Sequence, residues 1–445
     1  MLIPSAAEPL LLSFSVAFTD PTFQRFLALL VAAVLTTGRR TISNLFRTGR
    51  TLMDGDLSSY HRVFSKRRWS TLALSKVLAG YILSRFVPDG PVFLAGDDTV
   101  EEHRGKNVYG KGCHRDAVRS THSFTAYRWG HKWVVLAILV KFSWASRPWA
   151  LPVLVALYHP KDWNLKHGRR HKTPVVLIRQ MLALLMHWFP QRTFIFSGDG
   201  GYATHDLARF AHQHWRRLTL ISRFSAKANL YAPPPRRQRK PGRPRLKGAK
   251  LPAPSRVVAR SPRTRLTVSW YGGGTRRVEV VTGLGHWYKP GGGLTPVRWV
   301  FVHDLTGTHR DEYFFTTDTE MSPQDLIQAF TGRWSIEVTF AELRAYLGLE
   351  TTRGRCAPTI LRMAPCLFGL YSVVALLYAE CPLRHRTQLI AWRGKQTTTF
   401  SDAITALRRW MWADWVFETP CHHRAFSKLP PALRATLLYA LAPAA

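Results

Sequence analysis

The sequence predicts a mixed α/β protein with a helical region at each end. Three observations support this fold class: helical periodicity up to about residue 88, short apolar strands alternating with helices from about residue 90, and a return to helical periodicity near residue 322. A chain of 445 residues is long enough for two or three domains with their own cores. We therefore expect five consecutive regions: 1–88 (helical), 89–224 (first part of the α/β domain), 225–318 (basic linker and β-rich insertion), 319–355 (a helix that returns to the α/β domain) and 356–445 (helical).

The charge of the chain indicates what kind of partner it binds. It contains 63 Lys and Arg against 27 Asp and Glu, which gives a formal net charge of +36 and a pI near 10.9. Because cationic proteins release counterions when they bind a polyanion, such a balance favours nucleic acid as the partner. A membrane surface or simple solubility is the alternative explanation.

Two further features concern the compartment. The five cysteines show no paired C-x-x-C spacing, so we expect reduced thiols and a cytoplasmic protein. The apolar stretch Met1–Ala17 lacks the basic segment of a signal peptide. Met363–Ala379 is the most apolar stretch, and the interruptions at Pro365 and Gly369 favour a buried core helix over a membrane span.

The first region is predicted to be helical and basic. Phe23–Leu35 is an apolar helix, and Thr41–Arg47 and Ser58–Trp69 are short basic helical units. Two interpretations remain open: a helix-turn-helix-like DNA-binding domain, or a helical bundle that packs on the next domain.

Scarce acidic residues follow two predicted strands. Val92–Ala95 leads into Asp97 and Asp98, and Thr193–Ser197 leads into Asp199. Between them, residues 128–132 look like the turn of a β-hairpin. A carboxylate at the end of a strand costs little when a divalent cation binds there, because Mg²⁺ is held by carboxylates together with substrate phosphate oxygens.

A long basic stretch, Pro233–Arg265, interrupts the α/β pattern and contains no acidic residue. It reads as a solvated linker. Within it, Lys240–Arg245 resembles an AT-hook, so Arg243 and Arg245 either contact a DNA minor groove or form an ordinary solvated loop. Three strands are predicted to follow: Leu266–Trp270, Arg277–Thr282 and Val297–His303.

A predicted helix beginning at Ser322 contains the last acidic residue of interest. If this helix is continuous, Phe330, Arg333, Glu337 and Arg344 share one face. Glu337 can then complete a metal site while its basic neighbours hold phosphates. The alternative is an ordinary surface salt bridge between Arg333 and Glu337.

This helical segment resembles the Y-x₂-R-x₃-E-x₆-K signature of DDE transposases from bacterial insertion sequences. Arg333 and Glu337 match the signature, whereas Phe330 replaces its tyrosine and Arg344 its lysine. An arginine keeps the positive charge but offers a planar fork in place of a point charge.

Two more motifs carry the same resemblance. Gly96-Asp97-Asp98-Thr99 is similar to the first aspartate motif of that family, and Ser197-Gly198-Asp199-Gly200-Gly201 to the second. The three motifs occur in the family's order, and the resemblance spans roughly residues 40–375. It implies a ribonuclease H-like catalytic domain interrupted by the β-rich insertion.

The resemblance also implies a chemistry. Two Mg²⁺ ions, for which Mn²⁺ may substitute, would be held by Asp97 or Asp98 together with Asp199 and Glu337, for phosphodiester cleavage and strand transfer. Successive strand residues face opposite ways, so only one of the first pair is expected to be a ligand. Asp97 is favoured, because Asp98 and Thr99 can cap the following turn.

The family further implies DNA contacts. Arg333 and Arg344 are expected to contact phosphates of the inverted-repeat ends, and Lys106 lies in a charged loop where it can touch DNA. Trp287 and Trp299 are candidates for stacking on a flipped base, although core packing is the alternative for both.

The expected partners are the two inverted-repeat ends and target DNA, bound by a homodimer in the bacterial cytoplasm near the nucleoid, with no membrane. Two other functions remain open: a metal-dependent DNA nuclease without strand transfer, and a domesticated, non-catalytic DNA-binding protein.

Overall fold

The structure is a computed structural model that describes residues 3–116, 119–235, 245–386, 393, 395, 397–418 and 420–443. Over these residues, eleven strands form one sheet: β1 (Val92–Glu102), β2 (Gly112–Arg115), β3 (Tyr127–Val140), β4 (Trp149–Tyr158), β5 (Phe194–Gly198), β6 (Leu218–Arg223), β7 (Leu230–Tyr231), β8 (Thr264–Ser269), β9 (Thr275–Lys289), β10 (Gly293–Asp304) and β11 (Glu312–Thr316).

Helices cover both ends of the chain and connect the strands of the sheet. They are α1 (Glu8–Ser13), α2 (Asp20–Leu35), α3 (Ile42–Thr48), α4 (Leu57–Ser65), α5 (Thr71–Phe86), α6 (Lys161–Lys166), α7 (Pro174–Trp188), α8 (His205–Gln213), α9 (Pro254–Val258), α10 (Pro323–Gly332), α11 (Ser335–Leu347), α12 (Ala357–Glu380), α13 (Leu383–Arg386), α14 (Phe400–Trp410), α15 (Pro420–Ser427) and α16 (Pro431–Leu441).

The centre of the sheet has the order β4-β3-β1-β5-β6. β4, β3 and β1 pair antiparallel, whereas β5 and β6 run parallel to β1. An antiparallel meander followed by two parallel strands is the ribonuclease H-like arrangement, so the expected fold class is confirmed. Parallel strands need a crossover connection, which α7 and α8 supply.

β1 and β3 are longer than predicted. β1 continues through Asp97 and Asp98 to Glu102, and β3 runs unbroken through residues 128–132. The predicted hairpin turn at 128–132 is therefore wrong. Gly130 does not form a turn; it allows β1 and β3 to approach each other closely. A Cβ placed there would lie 1.9 Å from the Glu101 carbonyl oxygen.

The strands of the β-rich region extend the same sheet. β11 pairs antiparallel with β6, and β10, β9 and β7 follow outward, with β8 also pairing with β9. The three predicted strands of this region are present, as β8, β9 and β10. β11 was not predicted, and it forms the connection that joins this region to the centre of the sheet.

Helices on the sheet face position the last acidic motif. α10 packs over β5, β6 and β11 through Leu326, Ile327 and Phe330, and α11 packs on β1 and β4 through Ile336 and Phe340. Both helices are thereby fixed above the strands that carry the aspartates.

The terminal helices surround α12. α4 and α5 pack on it, α5 also contacts β4, and α2 is buried over most of its length. The helices of the first region thus pack on the rest of the protein, and a role of this region in DNA binding stays a prediction. Among the described helices, α12 is the one long and apolar enough to cross a membrane, and 72% of its most apolar window is buried against the rest of the protein.

Candidate active site

Two aspartates meet where β5 ends. In the parallel pair β1·β5, Gly96 lies opposite Gly198, so the next residues along the two strands are Asp97 and Asp199. β5 stops there, while β1 continues with β3 as its remaining neighbour. The edge of β1 is consequently open beside Asp97, which leaves room for a site.

The loop after β5 is fixed by hydrogen bonds. Asp199 accepts the Gly201 amide on Oδ1 at 2.9 Å, and this caps a short 3-10 helix over Gly200–Tyr202. The buried Ser222 hydroxyl of β6 donates to the carbonyl oxygens of Gly198, at 3.0 Å, and Asp199, at 2.6 Å. The position of the Asp199 backbone is thus set by the neighbouring strand.

Glu337 lies on the first turn of α11, and Arg333 connects it to β1. The Arg333 guanidinium donates to Glu337 Oε1 at 2.8 Å and to Asp97 Oδ2 at 3.2 Å. Arg333 is 4% exposed, whereas the Glu337 side chain is 45% exposed, so a buried guanidinium binds a carboxylate at the surface. The salt bridge between Arg333 and Glu337, which was the alternative interpretation, is present, and the same guanidinium also binds Asp97.

The electrostatics of this bridge follow from its burial. Burial raises the pKa of Asp97 to about 7, even though Arg333 acts to lower it, and nearby Asp199 raises it further. Burial alone would lower the pKa of Arg333, but Asp97 and Glu337 outweigh that effect and the net shift is upward. Asp97, Asp199 and Glu337 therefore share one electrostatic environment, with Arg333 as its cation.

Asp98 points to a different partner. Its Oδ1 atom lies 2.8 Å from the Lys132 ammonium on β3. Burial raises the pKa of Asp98, and Lys132 acts against that rise. Of the two aspartates, Asp97 is thus the one linked to Glu337, and Asp98 has its own counter-ion.

The donor set was tested for a divalent metal ion. Carboxylate oxygens are the ligands that Mg²⁺ prefers. The buried Tyr202 hydroxyl has no hydrogen-bond partner, and it lies close enough to Asp97, Asp98 and Asp199 for their charges to raise its pKa further, beyond the effect of burial. Within the described ranges, no three His, Cys, Asp or Glu side chains converge closely enough to hold a metal ion. Asp97 and Asp199 supply carboxylate oxygens of the kind that such an ion binds, and Glu337 is held by Arg333.

Comparison with known families identifies the chain. Residues 13–277, more than half of the sequence, match the model of a family described as "DDE superfamily endonuclease". This chain belongs to the DDE superfamily. A second model, described as "Archaeal putative transposase ISC1217", matches residues 288–355. The two aspartate motifs lie in the first match and Glu337 in the second, and the resemblance to DDE transposases is confirmed.

Other comparisons add little beyond the family. Among solved structures, the chain is similar to a piggyBac transposase in a synaptic complex with hairpin DNA, determined by cryo-EM. The identity is 10%, the match covers 99% of this chain and 82% of that chain, and the TM-score is 0.40. No curated protein matches the sequence.

The remaining basic residues predicted for this DDE protein lie in different places. Arg344 lies in the last turn of α11 and donates to Glu350 at 3.1 Å and to the Val100 carbonyl oxygen at 3.2 Å. Lys106 and Arg245 are exposed, in loops. Arg243 lies outside the described residues.

Two predicted DNA contacts, Phe330 and Trp299, lie in the core, and a third, Trp287, is half-buried against it. Phe330 is fully buried, with its ring 4.2 Å from that of Phe314, so it is a core residue. Trp299 is 3% exposed and is likewise part of the core. Trp287 packs against Phe224 and Phe315. Core packing, the alternative for the two tryptophans, is what the structure shows.

Sequence reasoning missed three residues around the DDE acids. Lys132 and Ser222 lie on strands that pair with β1 and β5, and the register of these strands is the signal that locates them. Tyr202 ends the short 3-10 helix after Asp199, and its position directly behind the second aspartate motif is the signal that could have found it.

Proposed function

We propose that the protein is a DNA transposase that cleaves phosphodiester bonds at the ends of an insertion sequence and joins those ends to target DNA. The observation that carries this proposal is the placement of Asp97, Asp199 and Glu337 around Arg333, on the strand and helix order of a DDE protein. Spatially linked acids on three separate segments are the donor set that metal-dependent phosphoryl transfer requires.

The proposed cofactor is a pair of Mg²⁺ ions, with Mn²⁺ as a substitute. Asp97 and Asp199 would hold the ions, and Glu337 would complete the set when its ion pair with Arg333 opens. Bound metal supplies a water or 3′-hydroxyl of lowered pKa and neutralises charge that develops on the phosphate.

The protein's own residues orient the reactants. Lys132 keeps Asp98 turned away from Arg333, and Ser222 fixes the segment that carries Asp199. Arg344 lies two turns beyond Glu337 on α11 and is 33% exposed as a side chain, so it would reach a DNA phosphate beside the site by exchanging its bond to Glu350. A guanidinium binds phosphate through two parallel hydrogen bonds, which fixes orientation as well as charge.

The proposed partners are the two inverted-repeat ends and a target duplex, bound by a homodimer in the bacterial cytoplasm. The net charge of +36 supports a polyanionic partner. Two ends that are cut and joined together call for two active sites, and a dimer supplies them.

The direct test is a plasmid assay with the element's own ends. In Mg²⁺, the wild-type protein should cleave at those ends and join the released ends to a second plasmid. Asp199→Asn and Glu337→Gln should abolish both reactions, whereas Asp89→Asn, a change at an exposed acid just before β1, should abolish neither.

The same assay separates the two adjacent aspartates and the competing functions. Asp97→Asn should reduce cleavage by ~10³-fold or more, as expected when a metal ligand is lost, while Asp98→Asn should retain most of it. Cleavage without joining would identify a nuclease. Activity in cells that survives Asp199→Asn would identify a non-catalytic DNA-binding protein.

A further inference from the structure

A polar cavity lies at the far end of β1, away from the DDE acids. Its volume is about 270 Å³. Three arginines line it together with two threonines, a histidine and two glutamates: Arg39, Arg104, Arg353, Thr351, Thr352, His103, Glu102 and Glu350. Glu102 lies five positions after Asp97 on β1, so the cavity begins ~17 Å along the strand from the DDE acids.

The cavity favours an anionic ligand, because its glutamates are paired and two of its arginines, among the residues that the structure describes, are not. Glu350 is already paired with Arg344 at 3.1 Å and with Arg128 at 3.3 Å, and Glu102 is paired with Arg104 at 3.3 Å. Within the described part of the chain, neither Arg39 nor Arg353 forms an ion pair. The guanidiniums of Arg39 and Arg353 therefore line the cavity without a described carboxylate partner, while the two glutamates in the cavity are paired with other arginines.

His103 is a second, independent sign of a ligand. Its side chain is 7% exposed, and neither ring nitrogen has a hydrogen-bond partner. Burial lowers the pKa of His103, and so do Arg353, Lys111 and Arg355, which places three cations around a neutral ring. A buried polar group without a partner costs free energy that a bound hydrogen-bonding ligand would recover.

An exposed aromatic surface adjoins the cavity. The His103 amide donates to the Trp129 carbonyl oxygen at 3.0 Å, so the two residues lie side by side in the sheet. Trp129 is 60% exposed and Tyr127 is 67% exposed, on the same face of β3. The Lys111 ammonium lies 5.6 Å from the centre of the Trp129 ring. Exposed aromatic rings interleaved with cations are typical of sites where unpaired bases stack.

We propose that the cavity and the Trp129 face together form a binding site for an unpaired nucleotide of the DNA end, with a phosphate in the cavity and a base on Trp129. This inference rests on the proposed function and locates one part of its substrate. The occupant is single-stranded DNA, because base pairing would keep the base face away from the indole ring. Arg344 of α11, the helix that carries Glu337, connects the cavity to the DDE acids, because its partner Glu350 lines the cavity.

The test uses the full chain and three labelled DNAs without Mg²⁺: a blunt duplex, the same duplex with a six-nucleotide single-stranded tail, and a duplex with an abasic tail of equal length. Affinity is measured by fluorescence anisotropy. Trp129→Ala should weaken binding of the normal tail by roughly 5- to 100-fold and leave the abasic tail unchanged. Arg353→Ala should weaken both tails and reduce the salt dependence by about 0.7 in log–log slope.

Trp215 offers a matched control, since it is 64% exposed with the Arg216 guanidinium 5.2 Å from its ring. Trp215→Ala and Arg216→Ala should leave the tail preference intact. The site is excluded if Trp129→Ala binds the normal tail like the wild type, or if Trp215→Ala loses as much affinity. Plasmid cleavage is measured separately. A protein that cleaves the plasmid but binds the tailed and blunt duplexes equally would refute the nucleotide site alone. A protein that prefers the tailed duplex but does not cleave would refute the proposed function alone.

Discussion

Replacing Asp97 by asparagine removes the charge at the centre of the site while keeping the shape of the side chain. Burial raises the pKa of Asp97 from its ordinary value of 3.8 to about 7. The folded protein then holds this proton more tightly than the unfolded chain does. Stability contributed by the protonated group is complete below about pH 4 and is lost as the pH rises through 7.

The size of the effect follows from the two pKa values. At 1.36 kcal/mol per pH unit, a rise from 3.8 to about 7 is worth roughly 4 kcal/mol, of which about 2 to 3 kcal/mol falls between pH 5 and pH 8. Asp97→Asn lacks this titration. Its free energy of unfolding, compared with that of the wild type, should therefore increase by about 2 to 3 kcal/mol between pH 5 and pH 8.

The assay is denaturant unfolding of both proteins at pH 5 and pH 8, with and without Mg²⁺. At pH 8, a saturating Mg²⁺ concentration of about 100 times the dissociation constant should stabilise the wild type by about 2.7 kcal/mol and leave Asp97→Asn unchanged. The control Asp89→Asn should follow the wild type throughout. Equal pH dependence in the wild type and Asp97→Asn would refute the burial argument, and equal stabilisation by Mg²⁺ would exclude Asp97 as a ligand.

Three other substitutions test how the site is supported. Gly130→Ala should destabilise the protein by ~3 kcal/mol or more, measured as a loss of thermal stability, because the added methyl group meets the Glu101 backbone at 1.9 Å. Ser222→Ala should lower cleavage by ~10-fold and stability by about 1–2 kcal/mol, since the Asp199 carbonyl oxygen loses its donor. Phe330→Tyr, which restores the family's residue, should destabilise by about 1–3 kcal/mol without raising cleavage, because the hydroxyl enters a closed core.

The sequence allowed the acids and their order to be predicted because they follow local patterns. An apolar run followed by Asp97 or by Asp199 is visible in a window of eight residues, and the spacing of Arg333 and Glu337 places them on neighbouring turns. Each of these inferences needs only the period of a strand or a helix, and the structure brings the four residues together.

The errors arise where contacts between distant segments decide the outcome. Gly130 looks like a turn residue, but its role depends on how closely β1 approaches β3. Phe330 lies on the predicted helix face, yet α10 ends at Gly332 and the chain reorients before α11, so Phe330 points into the core while Arg333 points to Asp97. Trp299 could not be told from a surface tryptophan without knowing that Gly283 of β9 and Phe315 of β11 lie opposite it in the sheet.

The arrangement of charges explains how a carboxylate-poor protein accommodates these acids beside a buried arginine. Asp98 is balanced by Lys132, which leaves Asp97, Asp199 and Glu337 near the guanidinium of Arg333. Three carboxylates and one guanidinium carry a formal charge of −2, which one divalent ion would cancel. If Arg333 turns to a DNA phosphate, the three carboxylates and the scissile phosphate together carry −4, which two divalent ions would cancel. A buried charge is tolerated only when it is compensated. With one ion before DNA binding and two after it, the group would be neutral in both states, and Arg333 would be the residue whose partner changes between them.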